Sequence, residues 1–148
     1  MTKSPKLYFY DTGLACSLLG IESAAQIDTH YLRGGLFESF IIAEISKHLY
    51  NTGRRPRIYF WQEAGRNEID CIIEKAQELI AVEIKASKTI SKNFFTVLHS
   101  WNELSQSTAS NNFIVYAGLE NEQWPGGMVV SWQKMSEMLD KQFEKLIP

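Results

Sequence analysis

The run Leu79-Ile80-Ala81-Val82-Glu83-Ile84-Lys85-Ala86 constrains the fold more than any other stretch. Side chains on a strand alternate, so Ile80, Val82, Ile84 and Ala86 share one face and Leu79, Ala81, Glu83 and Lys85 the other. Both faces begin apolar, which calls for a strand covered on both sides, as at the centre of a layered sheet. The flanking pattern agrees. Strands are expected at residues 57–62 and 68–74, then at 112–117 and 128–131, the last after the turn Pro125-Gly126-Gly127. Helices are expected at 36–50, stopped by Asn51-Thr52-Gly53, at 92–105 and at 133–146. Upstream, Leu7-Tyr8-Phe9-Tyr10 reads as a short aromatic strand, and Asp11 or Thr12 caps a brief helix that Gly20 ends. Residues 22–33 read as a polar connection. The fold class expected is α/β, a mixed central sheet flanked by helices.

The useful signals are charges that break the pattern of their own elements. On the first long helix, Phe37, Ile41, Ile42, Ile45 and Leu49 fill one apolar arc, and Glu38 falls inside it. A carboxylate facing a core is costly unless a cation or metal pairs with it. The plainer explanation is a first-turn carboxylate that profits from the helix dipole. Glu83 and Lys85 likewise turn one face of an apolar strand charged, where a plain surface ion pair is the alternative. Asp70 joins them only through the hairpin register. A turn at Lys75-Ala76-Gln77-Glu78 pairs Glu74 with Leu79, Ile72 with Ala81 and Asp70 with Glu83. A turn centred on Gln77 sets Asp70 opposite Ile84 instead, on the other face. Glu63, Glu68 and Glu74 have no part in this scheme and read as solvated.

Composition narrows the class. The formal net charge of −2 gives no global attraction to nucleic acid, and Arg54, Arg55 and Arg57 are the one tight basic cluster. Cys16 and Cys71 are far apart in apolar surroundings, and His30, His48 and His99 lack ligand spacing, which argues against a disulfide or zinc framework. With no apolar run of about 18 residues and no secretory leader, a cytoplasmic, non-membrane protein is expected.

Carboxylates held close together repel one another and invite a hard cation, so Glu38, Asp70 and Glu83 are the metal-ligand candidates for Mg2+ (or Mn2+). Such an ion activates water and offsets charge on a phosphoryl group, while Lys85 orients the water or stabilises the phosphate. Glu38, Asp70, Glu83 and Lys85 are therefore the catalytic candidates.

The same residues carry a resemblance. Asn67-Glu68-Ile69-Asp70 followed by Val82-Glu83-Ile84-Lys85 resembles the PD-(D/E)XK nuclease signature, with Ile69 in place of the proline. Lys6-Leu-Tyr-Phe-Tyr-Asp-Thr-Gly-Leu14, Arg33-Gly-Gly-Leu-Phe-Glu-Ser39 and Tyr59-Phe-Trp-Gln62 are similar to blocks of the C-terminal domain of a bacterial and archaeal family of AAA-type ATPases. The resemblance implies a restriction-endonuclease-like core at 31–148, with residues 1–30 as the join to an upstream ATPase domain. No Walker A loop occurs in this chain itself. It also implies DNA as a substrate. A homo-oligomer is left open, since nucleases of this kind often dimerise. The alternative is a non-catalytic module of the same fold that binds DNA or protein and regulates the ATPase.

Overall fold

The computed structural model describes residues 5–63 and 67–144. The expected turn at 64–67 and the end of the last helix at Leu146 therefore lie mostly outside the described residues. The elements run α1 (Thr12–Leu18), α2 (Ala24–Thr29), α3 (Arg33–Asn51), β1 (Ile58–Gln62), β2 (Glu68–Lys75), β3 (Glu78–Lys85), α4 (Thr96–Ser105), β4 (Asn112–Tyr116), β5 (Glu122–Trp124), β6 (Gly127–Ser131) and α5 (Met135–Glu144). Short 3-10 turns lead into α4, β4 and α5.

The sheet is mixed and six-stranded, in the order β1-β2-β3-β4-β6-β5. The β1–β2–β3 meander is antiparallel, β3 and β4 are parallel, as are β4 and β6, and β5 closes the far edge antiparallel to β6. β3 is central and its Ile80, Ala81 and Val82 are fully buried, as its two apolar faces require. On one face Val82 and Ile84 pack with Ile41, Ile45 and Leu49 of α3 and Met138 and Leu139 of α5. On the other, Ala81 packs with Leu98 and Trp101 of α4 and with Ile114 and Val129. The chain is thus a helix–sheet–helix sandwich.

Three elements depart from expectation. Residues 22–33 are not a plain connection: α2 forms there, and Gln26 Oε1 accepts from the Ser23 N–H at 3.1 Å, satisfying one of the helix's free donors. β5 supplies a short edge strand that its Glu-Gln-Trp sequence does not advertise. The aromatic run at residues 7–10 does not join the sheet. It lies extended with Lys6 and Tyr8 turned inward and Leu7 left 88% exposed, so its alternation is real while its ladder is missing. Among the described residues no helix is long and apolar enough to cross a membrane. Cys16 and Cys71 are both free, and Cys71 is wholly buried in the core.

The hairpin register is settled. Lys75 pairs with Glu78, Glu74 with Leu79, Ile72 with Ala81 and Cys71 with Val82, around a tight turn at Ala76-Gln77. Ala76 takes a left-handed φ of 52° to make that turn.

Candidate functional site

The site begins with a fault in the ladder. On β1, Tyr59 pairs with Ile72 and Trp61 with Ile69, so Asp70 and Cys71 together stand against Phe60 alone. That extra residue is a β-bulge in β2, which re-aims side chains locally. Simple alternation puts Asp70 on the face of Ile72. The bulge instead places Ile69 with Ile72 on the α4 side and frees Asp70 from that face. Asp70 Oδ2 accepts the Ile84 N–H at 2.8 Å, taking over a bond the ladder has dropped. Asp70 therefore sits at the seam where β2 and β3 part.

Around it, α3 and the N-terminal segment assemble an acidic cluster. Helix α3 begins at Arg33, a turn earlier than expected, so Glu38 is not in its first turn and the dipole explanation for it lapses. Its carboxylate, about a quarter exposed, accepts from Tyr8 Oη at 2.6 Å and from Lys6 Nζ at 3.1 Å. Lys6 Nζ also pairs with Glu68 and lies 4.0 Å from Asp70 Oδ1. One oxygen each of Glu38, Glu68 and Asp70 lie within 4.8 Å of one another. Glu68 is thus a member of the cluster rather than a solvated bystander. Beside it a cleft of about 240 Å³ is lined by Lys6, Tyr8, Phe60 and Asp70 among others.

Glu83 and Lys85 form the second half. They alternate with Val82 and Ile84, which places them on the α4 side, and Lys85 Nζ sits 5.9 Å from the Phe94 ring. Lys85 pairs directly with Glu83 Oε1. Glu83 is 4% exposed, and its Oε2 is buried without a hydrogen-bond partner among the described residues. A buried carboxylate oxygen left alone is costly. The four residues singled out by sequence therefore do not share one face as the register alone implied. Glu38 and Asp70 meet directly through Lys6, Glu83 and Lys85 meet each other, and Asp70 lies at the seam between them.

The electrostatics join the two halves. Burial pushes the Asp70 carboxyl upward, against the Ile84 N–H and Lys85, which pull it down. Burial also pushes Glu83 upward, Asp70's charge adds to this, and Lys85 offsets only part of it. Lys6 is held charged: burial opposes its ammonium, but the hydrogen bonds to Glu68 and Glu38 more than compensate. Tyr8 is pushed up by burial and then by Glu38, so its hydroxyl stays a donor. The cluster of Glu38, Glu68 and Asp70 has more carboxylates than cations and an all-oxygen donor set, which fits a hard divalent ion. Glu38, Glu68 and Asp70 would hold it; Glu83, expected as the third ligand, lies outside this group of oxygens and pairs with Lys85, and Glu68 stands in its place.

Lys6, Tyr8 and Glu68 were beyond sequence reasoning. The basic cluster is largely committed elsewhere: Arg57 pairs with Glu74 at 2.8 Å and Arg54 lies 4.9 Å from the Phe143 ring.

Residues 33–135, more than half of the chain, match the family described as Domain of unknown function (DUF4143). The chain belongs to the DUF4143 family. The DUF4143 match runs from the first residue of α3 to the first of α5. Glu38, Glu68, Asp70, Glu83 and Lys85 all lie inside it, whereas Lys6 and Tyr8 lie outside. Uncharacterised proteins of Mycobacterium tuberculosis and Mycobacterium bovis are each 30% identical to this chain over 89 residues, which make up 60% of the chain and 19% of the relative. The match thus spans about a fifth of the curated relatives' length. No solved structure matches.

Proposed function

We propose that this DUF4143 domain has a restriction-endonuclease-like core of the PD-(D/E)XK type and is a magnesium-dependent nuclease that hydrolyses phosphodiester bonds of DNA. The observation that carries the reading is the bulge that sets Asp70 at the seam between Glu38 and Glu68 on one side and the Glu83–Lys85 pair on the other. Supporting it are the motif spacing Asp70 … Glu83-x-Lys85 and the reluctance of Asp70 and Glu83 to ionise without a further cation. A bound divalent ion supplies charge compensation at the phosphoryl group and makes a coordinated water more acidic. Lys85, about a third exposed at the end of β3, reaches the phosphate or the attacking water and offsets the charge that builds as the phosphorus–oxygen bond breaks. Glu83 holds Lys85 in place, and Asp70 is fixed by the Ile84 N–H. The domain's attachment to an AAA-type ATPase in a longer protein is part of the proposal, supported by the resemblance of the blocks from Lys6 to Gln62.

A second reading, a non-catalytic module that regulates the ATPase, draws on one observation. Both lysines of the site are already paired with its acids, Lys6 with Glu38 and Glu68 and Lys85 with Glu83. Nicking of supercoiled DNA in Mg2+ or Mn2+ separates the readings. The nuclease requires metal-dependent nicking that falls about 100-fold or more in Asp70→Asn and Lys85→Met. Wild-type protein that binds the ion and cuts nothing, or cutting that both variants keep, rejects it.

A further inference from the structure

The acidic cluster already contains a cation, and it belongs to the chain. Lys6 Nζ contacts Glu38 and Glu68 and lies 4.0 Å from Asp70, the same carboxylates that lie within 4.8 Å of one another. A divalent ion shared by those oxygens would stand where this ammonium stands, and two cations cannot share so small a volume. We propose that Lys6 is an internal occupant of the cation site, so that seating of the N-terminal segment and loading of a divalent ion exclude each other. The inference rests on the reading of Glu38, Glu68 and Asp70 as a cation site.

Three features make Lys6 an exchangeable occupant. The segment around it joins no ladder, and its Leu7 and Phe9 are 88% and 42% exposed, so side-chain contacts rather than strand pairing hold it down. Its inward anchors are Lys6 itself and Tyr8, whose hydroxyl donates to the same Glu38. Lys6 lines the cleft of about 240 Å³, which gives its side chain somewhere to go. One ammonium also leaves the cluster under-neutralised, so a doubly charged ion has the electrostatic advantage once the segment lifts. Because linkage is reciprocal, anything that draws residues 5–10 away would favour the ion, and the ion would in turn free residues 5–10. The device lies outside the stretch that matches DUF4143, while every acid it touches lies inside. It therefore acts as a control laid over the domain's own site.

The test is Mn2+ binding, followed by electron paramagnetic resonance of the free ion, in wild type, Lys6→Met, Lys6→Arg and Asp70→Asn. Removing a competitor that fills the site most of the time tightens binding about tenfold in Lys6→Met, because apparent affinity scales with the fraction of open site. Lys6→Arg keeps the weaker affinity, and Asp70→Asn loses binding. A second arm uses wild type alone, so it does not depend on how the variants fold. Trypsin cleavage after Lys6 should speed up as Mn2+ is added, while cleavage at Lys88, 67% exposed throughout, should not change. Equal Mn2+ affinity in wild type and Lys6→Met, or cleavage at Lys6 indifferent to bound Mn2+, overturns the inference while leaving the cation site standing. Absence of Mn2+ binding in every variant overturns both.

Discussion

Replacing Glu83 with glutamine tests the electrostatic account of the site through folding stability alone. Burial and the charge of Asp70 raise Glu83 from 4.5 to about 7, so the folded chain binds its proton more tightly than the unfolded chain. The sign follows from linkage. A raised carboxyl contributes stability that is fully present below its unfolded pKa and is lost as pH rises through the folded one. Between pH 5 and pH 8 that loss amounts to about 2 to 3 kcal/mol for a group shifted from 4.5 to about 7. Glutamine does not titrate, so Glu83→Gln should lack this share of the pH dependence. Its fixed cost, a buried amide hydrogen, is the same at both pH values and cancels in the comparison, while the ion pair with Lys85 forms only on ionised Glu83 and is already contained in the position of its pKa. Urea unfolding followed by tryptophan fluorescence at pH 5 and pH 8 gives the four stabilities needed. The wild type should lose about 2 to 3 kcal/mol more than Glu83→Gln on going to pH 8. Parallel pH profiles would refute the reasoning, because Glu83 would then titrate alike in both states.

Asp70 is raised in the same direction, to about 6, so saturating Mg2+ should stabilise the wild type at pH 8 and less at pH 5, where a proton occupies Asp70. At about 100 times the dissociation constant the gain is about 2.7 kcal/mol, readable as a shift in thermal midpoint that Asp70→Asn abolishes. Ala76→Gly should stabilise the hairpin by about 0.5 to 1 kcal/mol in chemical denaturation, because Ala76 holds a left-handed φ of 52° that glycine adopts without strain. Gly127→Ala should cost about 2 kcal/mol or more, since a Cβ there meets the Asn112 carbonyl oxygen at 2.6 Å and the φ of +148° disfavours any side chain.

What the chain reveals without a structure depends on how local the determining contacts are. β3 is legible because eight consecutive residues carry both of its buried faces. The register is legible because the turn follows within the same hairpin, and pairing Glu74 with Leu79 fixes the ladder as far as Cys71 with Val82, where it ends one pair short of the expected Asp70 with Glu83. The bulge at Asp70 is not, since it arises from how Phe60 on another strand meets two residues at once. Lys6 and Tyr8 meet Glu38 from 32 and 30 positions away, and Lys6 meets Glu68 from 62, so no periodicity links them. The misplacement of Glu38 on its own helix did signal a missing cation. The cation it pairs with proved to be a lysine of the chain, at 3.1 Å, beside the closer Tyr8 hydroxyl. Glu68 looked solvated because it stands at the edge of its strand, and the Lys6 that pairs with it lies 62 positions away.

The central proposal is that Glu38, Glu68 and Asp70 would hold a divalent ion beside the Glu83–Lys85 pair. A crystal soaked in Mn2+ and measured for anomalous scattering tests it most directly. The account predicts a peak bounded by those carboxylates at about 2.1 to 2.3 Å, with Lys6 displaced toward the neighbouring cleft. A map with no peak there, and Lys6 still seated between Glu38 and Glu68, would contradict it.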